Sequence, residues 1–202
     1  MNAIQSALLT TSCIGFLTAC APATKSAETS SPAETETQAA DDVTLLNTTL
    51  GPVQGAQDGD VVSFKGIPFA KPPVGELRWR APQPVQAWNE PLDATTYGSD
   101  CMQIPFPSDA APLGVPHAED CLYLNVWKPA RTEPDTKLPV MVWIYGGGLQ
   151  NGGTSPDVYD GSEFARQNVI LMSMNYRLGR FGFFAHPALS AEGADPHMVN
   201  YG

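Results

Sequence analysis

Apolar residues form three short runs in the second half of the chain, each bounded by turn-forming residues. The runs lie at residues 122–127, 138–145 and 168–174. The last two are nearly unbroken, which is typical of strands buried on both faces of a sheet. Between them, residues 162–167 have the composition of a short helix with Ser162 as candidate N-cap. This order predicts a strand–helix–strand crossover in a parallel sheet.

The chain ahead of these runs has a weaker pattern. Residues 61–64 predict a strand that enters a turn, whereas residues 68–91 hold six prolines and predict mostly loop. The run at 122–127 predicts a strand that Lys128 and Pro129 end. The predicted fold class is therefore α/β, with small antiparallel strands leading into a central, mostly parallel sheet.

The first twenty residues read as an export signal. Residues 1–20 carry no charge, and their apolar stretch is too short and too rich in Ser and Thr to cross a bilayer. Residues 17–20, Leu-Thr-Ala-Cys, are similar to a bacterial lipobox, which predicts lipid on Cys20 and a membrane-anchored lipoprotein on the periplasmic or cell-surface side. The alternative is an ordinary signal cut near Cys20, which predicts a secreted or periplasmic protein.

Residues 21–42 separate this signal from the rest of the chain. Ala, Thr, Ser, Glu and Pro dominate them, and they contain no aromatic or large aliphatic residue. Such a segment buries too little apolar surface to offset its chain entropy, so it predicts a disordered tether. The folded part is predicted to be residues 43–202.

Composition and charge narrow the range of partners. The chain has 202 residues, of which 43% are hydrophobic, and its formal net charge is −10. That hydrophobic share predicts a folded core. The acidic balance argues against nucleic acid, because phosphate backbones require clustered Lys and Arg.

Four cysteines fit an exported protein. Cys13 would leave with the signal and Cys20 would carry lipid, so Cys101 and Cys121 remain as a possible disulfide. The alternative is two unpaired buried thiols. The chain's three histidines, His117, His186 and His197, form no zinc-type spacing with the cysteines, so neither a metal site nor a cofactor is predicted.

The glycine triplet Gly146-Gly147-Gly148 directly follows a predicted buried strand. Because glycine has no side chain, consecutive glycine N–H groups remain accessible and can form a concave anion-binding site. Proteins use such sites to bind phosphate groups or as oxyanion holes. A phosphate loop requires a Lys or a helix start after the glycines, and neither follows Gly148. The remaining interpretations are an oxyanion loop and a simple flexible turn.

Six motifs in order decide between these interpretations. They are GIPFA at 66–70, PPVG at 72–75, LRWRAP at 77–82, EDCLYLNV at 119–126, VWIYGGG at 142–148 and NYRLGRFGF at 175–183. Together they resemble the type-B carboxylesterases, the α/β-hydrolase family that includes the cholinesterases. The resemblance runs from about residue 51 to the last residue, and it implies hydrolysis of a small-molecule carboxylic ester.

By this resemblance, the N–H groups of Gly147 and Gly148 form part of the oxyanion hole. A G-x-S-x-G motif occurs nowhere in the 202 residues. The nucleophilic Ser, the acid and the His are therefore expected beyond Gly202, and none of the three histidines matches the catalytic one. The chain is interpreted as the N-terminal part of an esterase, inactive on its own. The alternative is a catalytically inactive, cholinesterase-like binding or adhesion module.

Further roles follow from the same resemblance. Cys101 and Cys121 match a family disulfide beside the active-site gorge. The loop between them lacks the Trp that binds choline in cholinesterases, which argues against choline esters as preferred substrates. Arg78 and Glu119 match a structural ion pair, and Arg177 also matches a structural residue. Tyr145 stands where many relatives carry His, although cholinesterases carry Tyr there too.

Overall fold

A computed structural model describes residues 42–133, 135–192 and 200–202. The predicted signal at 1–20 with Cys20, residues 21–41 of the predicted tether, and His197 lie outside the described residues. Within those ranges, no helix has both the length and the apolar character needed to cross a membrane.

The described residues form ten short strands and three short helices. The strands are β1 Leu45–Asn47, β2 Pro52–Gln54, β3 Ala56–Asp58, β4 Val61–Pro68, β5 Leu92–Asp93, β6 Asp100–Cys101, β7 His117–Ala118, β8 Tyr123–Pro129, β9 Val140–Trp143 and β10 Ile170–Met174. The helices are α1 Ser162–Arg166, α2 Gly179–Gly182 and α3 Pro187–Glu192, and single 3₁₀ turns lie at Gly75–Leu77 and Asp157–Tyr159.

Five strands form the central sheet in the order β3-β4-β8-β10-β9. The pairs β3–β4, β4–β8 and β8–β10 are antiparallel, and β9 runs parallel to β10. Helix α1 lies between β9 and β10 in the chain, so the predicted crossover is confirmed. The α/β class is also confirmed, with a mixed sheet whose parallel part is one pair among the described strands.

The core lies on the middle strands of this sheet. Val62 and Phe64 of β4 and Trp127 of β8 have no exposed surface. Ala165 of α1 packs with Trp127 and with Leu171 of β10. Alternate residues of β8 and β10 are buried, as expected for strands that present one face to a core. The short helix α1 therefore packs on the face of the sheet that carries Trp127 and Leu171.

Strand β8 extends beyond its predicted end. It continues through Lys128 and Pro129, and Pro129 pairs with Val61 of β4. Proline is tolerated there because Pro129 lies past the residues of β8 that pair with β10, so the strand has a neighbour on one side only at that position. Ser162 is also not the N-cap of α1. Gly161 takes that position, and the N–H of Ser162 donates to Asp160 Oδ1 at 2.9 Å.

The prediction that the runs at 138–145 and 168–174 are buried on both faces is wrong for the described residues. All four residues of β9 are exposed, with 60% of Val140 accessible, and only alternate residues of β10 are fully buried. Within the described ranges β9 is hydrogen-bonded to β10 alone. A strand at the edge of a sheet keeps its apolar side chains accessible unless another element covers them.

A disulfide joins Cys101 and Cys121, the pair proposed from the sequence, with a Cα–Cα distance of 4.9 Å. Both cysteines are buried. The bond closes residues 102–120 into a loop, called here the disulfide loop. Strand β6 directly precedes this loop, and the loop returns through β7, which pairs with β6 in parallel.

Replacing both cysteines by serine is expected to lower the free energy of unfolding by about 3 kcal/mol. The bond spans a sequence separation of 20, and cross-linking reduces the entropy of the unfolded chain. Urea unfolding with and without reductant measures the effect. The wild-type midpoint should fall on reduction, whereas the double variant should not respond. An unchanged wild-type midpoint after complete reduction contradicts the prediction.

Candidate functional site

The glycine triplet turns the chain just past the end of β9. Gly147 has φ +124° and Gly148 has φ +61°, a region that residues with side chains seldom occupy. A Cβ on Gly147 would lie 1.9 Å from the carbonyl oxygen of Asn151, whereas a Cβ on Gly148 would meet nothing within 4 Å. The turn therefore requires glycine at 147 both for its backbone angle and for its close approach to Asn151.

The N–H groups of this turn are available to a ligand. The carbonyl of Gly147 accepts hydrogen bonds from the N–H groups of Gln150 at 3.1 Å and Asn151 at 3.3 Å. In the described part of the chain, no atom accepts a hydrogen bond from the N–H of Gly147 or Gly148, and both residues are exposed. Such a pair of accessible donors suits a small anionic oxygen.

Two stacked tyrosines hold the entrance to the turn. The rings of Tyr145 and Tyr176 lie 4.4 Å apart at 15°. The hydroxyl of Tyr145 donates to the carbonyl of Tyr176 at 3.1 Å, and the hydroxyl of Tyr176 donates to the carbonyl of Tyr145 at 3.0 Å. Burial raises the pKa of both phenols, so they remain neutral donors. The residue before the glycines is thus tied to the segment after β10.

The exit from the turn is held by backbone and side-chain contacts. The N–H of Gly179, which opens α2, donates to the carbonyl of Leu149 at 2.7 Å. The side-chain amide of Gln103, in the disulfide loop, bonds to both backbone groups of Gly152. The residues from Tyr145 to Gly152 are therefore fixed at both ends.

A buried polar cluster lies directly after this segment. Asp100, Thr154, Ser155 and Asn175 form it and are called here the Asp100 cluster; each is at most 2% exposed. The N–H of Thr154 donates to Asp100 Oδ1 at 2.9 Å, and the hydroxyl of Ser155 donates to Asp100 Oδ2. Burial raises the pKa of Asp100, although the hydrogen bonds from Ser155, Thr154 and Asn175 oppose this shift.

Ser155 connects the Asp100 cluster to the disulfide loop. Its Oγ accepts hydrogen bonds from the N–H groups of Gly114 at 2.8 Å and Val115 at 3.2 Å. Asn125 of β8 reaches the cluster from the sheet, because its Nδ2 donates to the hydroxyl of Thr154 at 3.0 Å. The sequence analysis assigned no role to any of these residues, although Asn125 lies in the EDCLYLNV motif and Asn175 opens the NYRLGRFGF motif.

The two arginines singled out from the sequence connect distant segments. Arg78 Nη2 donates to Glu119 Oε1 at 2.6 Å, and its Nε donates to Glu119 Oε2 at 2.5 Å. This hydrogen bonding raises the pKa of Arg78. Arg177 is buried and donates to the carbonyls of Arg80 at 2.8 Å and Tyr201 at 3.0 Å. These contacts fit structural roles for both arginines.

The two described histidines lie in different local settings. His117 belongs to β7, opposite Asp100, and His186 Nδ1 accepts a hydrogen bond from the N–H of Ala188 at 3.2 Å. Across the described ranges, no group of three or more His, Cys, Asp or Glu side chains is arranged to hold a metal ion.

The sequence and the fold match those of known esterases. The model of the carboxylesterase family matches residues 42–194. The fumonisin B1 esterase of Sphingopyxis macrogoltabida is 45% identical over 80% of this chain, and the para-nitrobenzyl esterase of Bacillus subtilis is 48% identical over 69%. A thermophilic PNB esterase structure superposes with a TM-score of 0.67 at 42% identity over 79% of the chain.

These matches define the class of protein. The described fold is the corresponding part of an α/β hydrolase with a mixed sheet. The chain belongs to the carboxylesterase family, as the resemblance of its motifs predicts. It spans 30% of the fumonisin B1 esterase, 28% of the para-nitrobenzyl esterase and 32% of the PNB esterase structure.

Proposed function

We propose that this chain supplies the oxyanion loop of a carboxylic ester hydrolase that uses a serine nucleophile. The observation that carries the proposal is the pair of accessible N–H groups on Gly147 and Gly148, in a turn held at both ends within a carboxylesterase-family fold. The nucleophilic Ser, the acid and the His belong to the part of the domain beyond Gly202.

The two glycine N–H groups act on charge that forms during the reaction. When the serine hydroxyl attacks the ester carbonyl, the carbonyl oxygen becomes an oxyanion, and fixed donors stabilise it without reorganising. The N–H of the residue after the serine adds a third donor. The turn serves this purpose because its ends are fixed by Tyr145 and Gly152 before the substrate arrives.

The proposed substrates are small carboxylic esters without a choline group. The disulfide loop has no Trp to bind a quaternary ammonium group. Two relatives are named fumonisin B1 esterase and para-nitrobenzyl esterase, and these names support carboxylic esters other than choline esters as substrates for this chain as well. No nucleic-acid partner is proposed, because the formal net charge is −10.

The complete protein is expected to hydrolyse para-nitrophenyl acetate or butyrate and to bind a fluorophosphonate probe at one serine. Residues 1–202 alone are expected to do neither, because ester cleavage by this route requires the Ser, acid and His together. The two assays, run on folded protein, test the proposal.

A folded complete protein that is neither active nor labelled would instead support a catalytically inactive binding or adhesion module. The reading frame beyond codon 202 gives an independent check. A G-x-S-x-G motif supports the hydrolase, and a substituted serine contradicts it.

A further inference from the structure

Gln103, which lies outside the glycine turn at residues 146–152, hydrogen-bonds to both backbone groups of Gly152, the last residue of that turn. Gln103 Nε2 donates to the carbonyl of Gly152 at 2.7 Å, and Gln103 Oε1 accepts from the N–H of Gly152 at 2.8 Å. The amide therefore pairs with Gly152 as the backbone of a neighbouring strand would. No other described side chain bonds to the backbone of Gly152.

Gly152 is packed against the start of the same turn. It has φ +112°, and a Cβ there would lie 2.6 Å from the carbonyl oxygen of Gly146 and 2.6 Å from the ring of Tyr145. The last residue of the turn thus touches its first residues. Gly146 and Tyr145 leave no room beside Gly152, so a displacement of Gly152 towards them would push the start of the turn out of place.

Gln103 is itself fixed to a rigid part of the molecule. Its Nε2 also donates to the carbonyl of Cys101 at 2.9 Å, two residues earlier in the chain. Cys101 is buried, forms the disulfide with Cys121 and belongs to β6. Among the described residues, one further side-chain link joins the disulfide loop to the end of the turn, from Asn151 Nδ2 to Asp109 Oδ2, and it is long at 3.4 Å.

We propose that Gln103 is a positioning residue for the oxyanion loop. Its hydrogen bonds link Gly152 to the disulfide-bonded strand β6. They restrain the position of Gly152 and, through Gly152, the direction of the N–H groups of Gly147 and Gly148. The inference rests on the proposed function, because positioning matters only where those N–H groups stabilise an oxyanion. An amide is required, since one group must donate to a carbonyl and accept from an N–H at the same residue.

Gln103→Leu is expected to lower kcat of the complete protein by roughly 10- to 100-fold, with KM changed less than about threefold. The loss is smaller than the 10²–10³ that follows removal of an oxyanion donor, because both donors remain and only their direction changes. An interaction made only in the transition state lowers kcat and leaves ground-state binding intact. Active sites are counted by fluorophosphonate titration, so kcat refers to folded enzyme alone.

A trifluoromethyl ketone gives a second measurement. Such a ketone adds the serine oxygen to its carbonyl carbon, with the serine proton passing to the catalytic histidine, and so forms a bound oxyanion. Its affinity should fall by about the same factor as kcat. A role confined to stability would lower the number of titratable sites and leave both values unchanged.

Two further variants serve as controls. Ile104→Ser changes the neighbouring residue, which is 88% exposed and takes no part in these contacts, and it should keep the wild-type kcat. Gln103→Glu keeps an acceptor for the N–H of Gly152 but turns an oxygen towards its carbonyl, so kcat should again fall. Gln103→Glu also keeps the proposal testable if Gln103→Leu does not fold.

The outcomes separate the two proposals. A complete wild-type protein without esterase activity overturns the proposed function. An active wild type whose Gln103→Leu and Gln103→Glu variants keep kcat per titrated site and ketone affinity overturns the positioning role alone. Parallel losses of kcat and ketone affinity, with Ile104→Ser unaffected, support it.

Discussion

Gly147→Val in the complete protein is expected to lower kcat for ester hydrolysis by about 10²–10³ or more, while the protein remains folded. Valine is a β-branched residue and is strained at φ +124°. Its Cβ would also lie 1.9 Å from the carbonyl oxygen of Asn151. The turn must therefore open, which moves the N–H groups of residues 147 and 148 away from the oxyanion. The turn is exposed, so the core is not disturbed.

A matched control separates this effect from backbone strain. Gly59 has φ +57° and lies in the turn between β3 and β4, where a Cβ meets nothing within 4 Å. Gly59→Val carries strain without touching the proposed site, so kcat per titrated site should remain at the wild-type value. Steady-state kinetics on both variants make the comparison. Unchanged turnover in Gly147→Val contradicts the assignment of the oxyanion loop.

Asp100→Ala is expected to lower the free energy of unfolding by about 2–4 kcal/mol at neutral pH. The carboxylate has no exposed surface, and its oxygens accept from the N–H of Thr154 and the hydroxyl of Ser155. Alanine leaves both donors without this acceptor and leaves a cavity behind them. Ser155 Oγ also accepts hydrogen bonds from the N–H groups of Gly114 and Val115. Loss of the Asp100 carboxylate that orients Ser155 therefore weakens the contacts of the disulfide loop as well.

The effect should depend on pH with a definite sign. Burial raises the pKa of Asp100 above its ordinary value of 3.8. A group whose pKa is higher in the folded state stabilises that state most below the unfolded pKa, and this contribution is lost as pH rises through the folded pKa. The difference in stability between wild type and Asp100→Ala should therefore be largest near pH 3 and decrease as pH rises above about 4.

Urea midpoints across this pH range, with Asp58→Ala as control, test both statements. Asp58 is an exposed carboxylate in β3, and its removal should change stability by less than about 0.5 kcal/mol. Equal stability of Asp100→Ala and wild type contradicts the structural role of the Asp100 cluster. A stability difference that increases with pH contradicts the raised pKa.

Local sequence features predicted the fold class and the place of the candidate site. The apolar runs around β9 and β10 and the glycines after β9 are features of adjacent residues, and each has a direct local consequence. Alternation or continuity of apolar positions favours strands, and consecutive glycines permit a turn with positive φ. The motif order then identified the family, and the family model confirms that identification.

Burial was predicted less well, because it depends on neighbours rather than on the run itself. The apolar run at 138–145 predicts a strand covered on both faces, yet β9 is exposed among the described residues. Its only hydrogen-bonded neighbour there is β10. An apolar run shows that a strand is suited to burial. Whether the strand is buried depends on the elements that pack on its two faces.

By itself, the sequence determined the class of fold, the family and the location of the glycine turn, because each is encoded in contiguous residues. Only the tertiary structure decided what holds that turn. Gln103 lies 49 residues from Gly152, and Asp100 lies 55 residues from Ser155. Neither pair belongs to a periodic pattern, so no local rule links its members. They meet because β6 and the disulfide loop fold back on the segment after β9, where their hydrogen bonds satisfy buried polar groups.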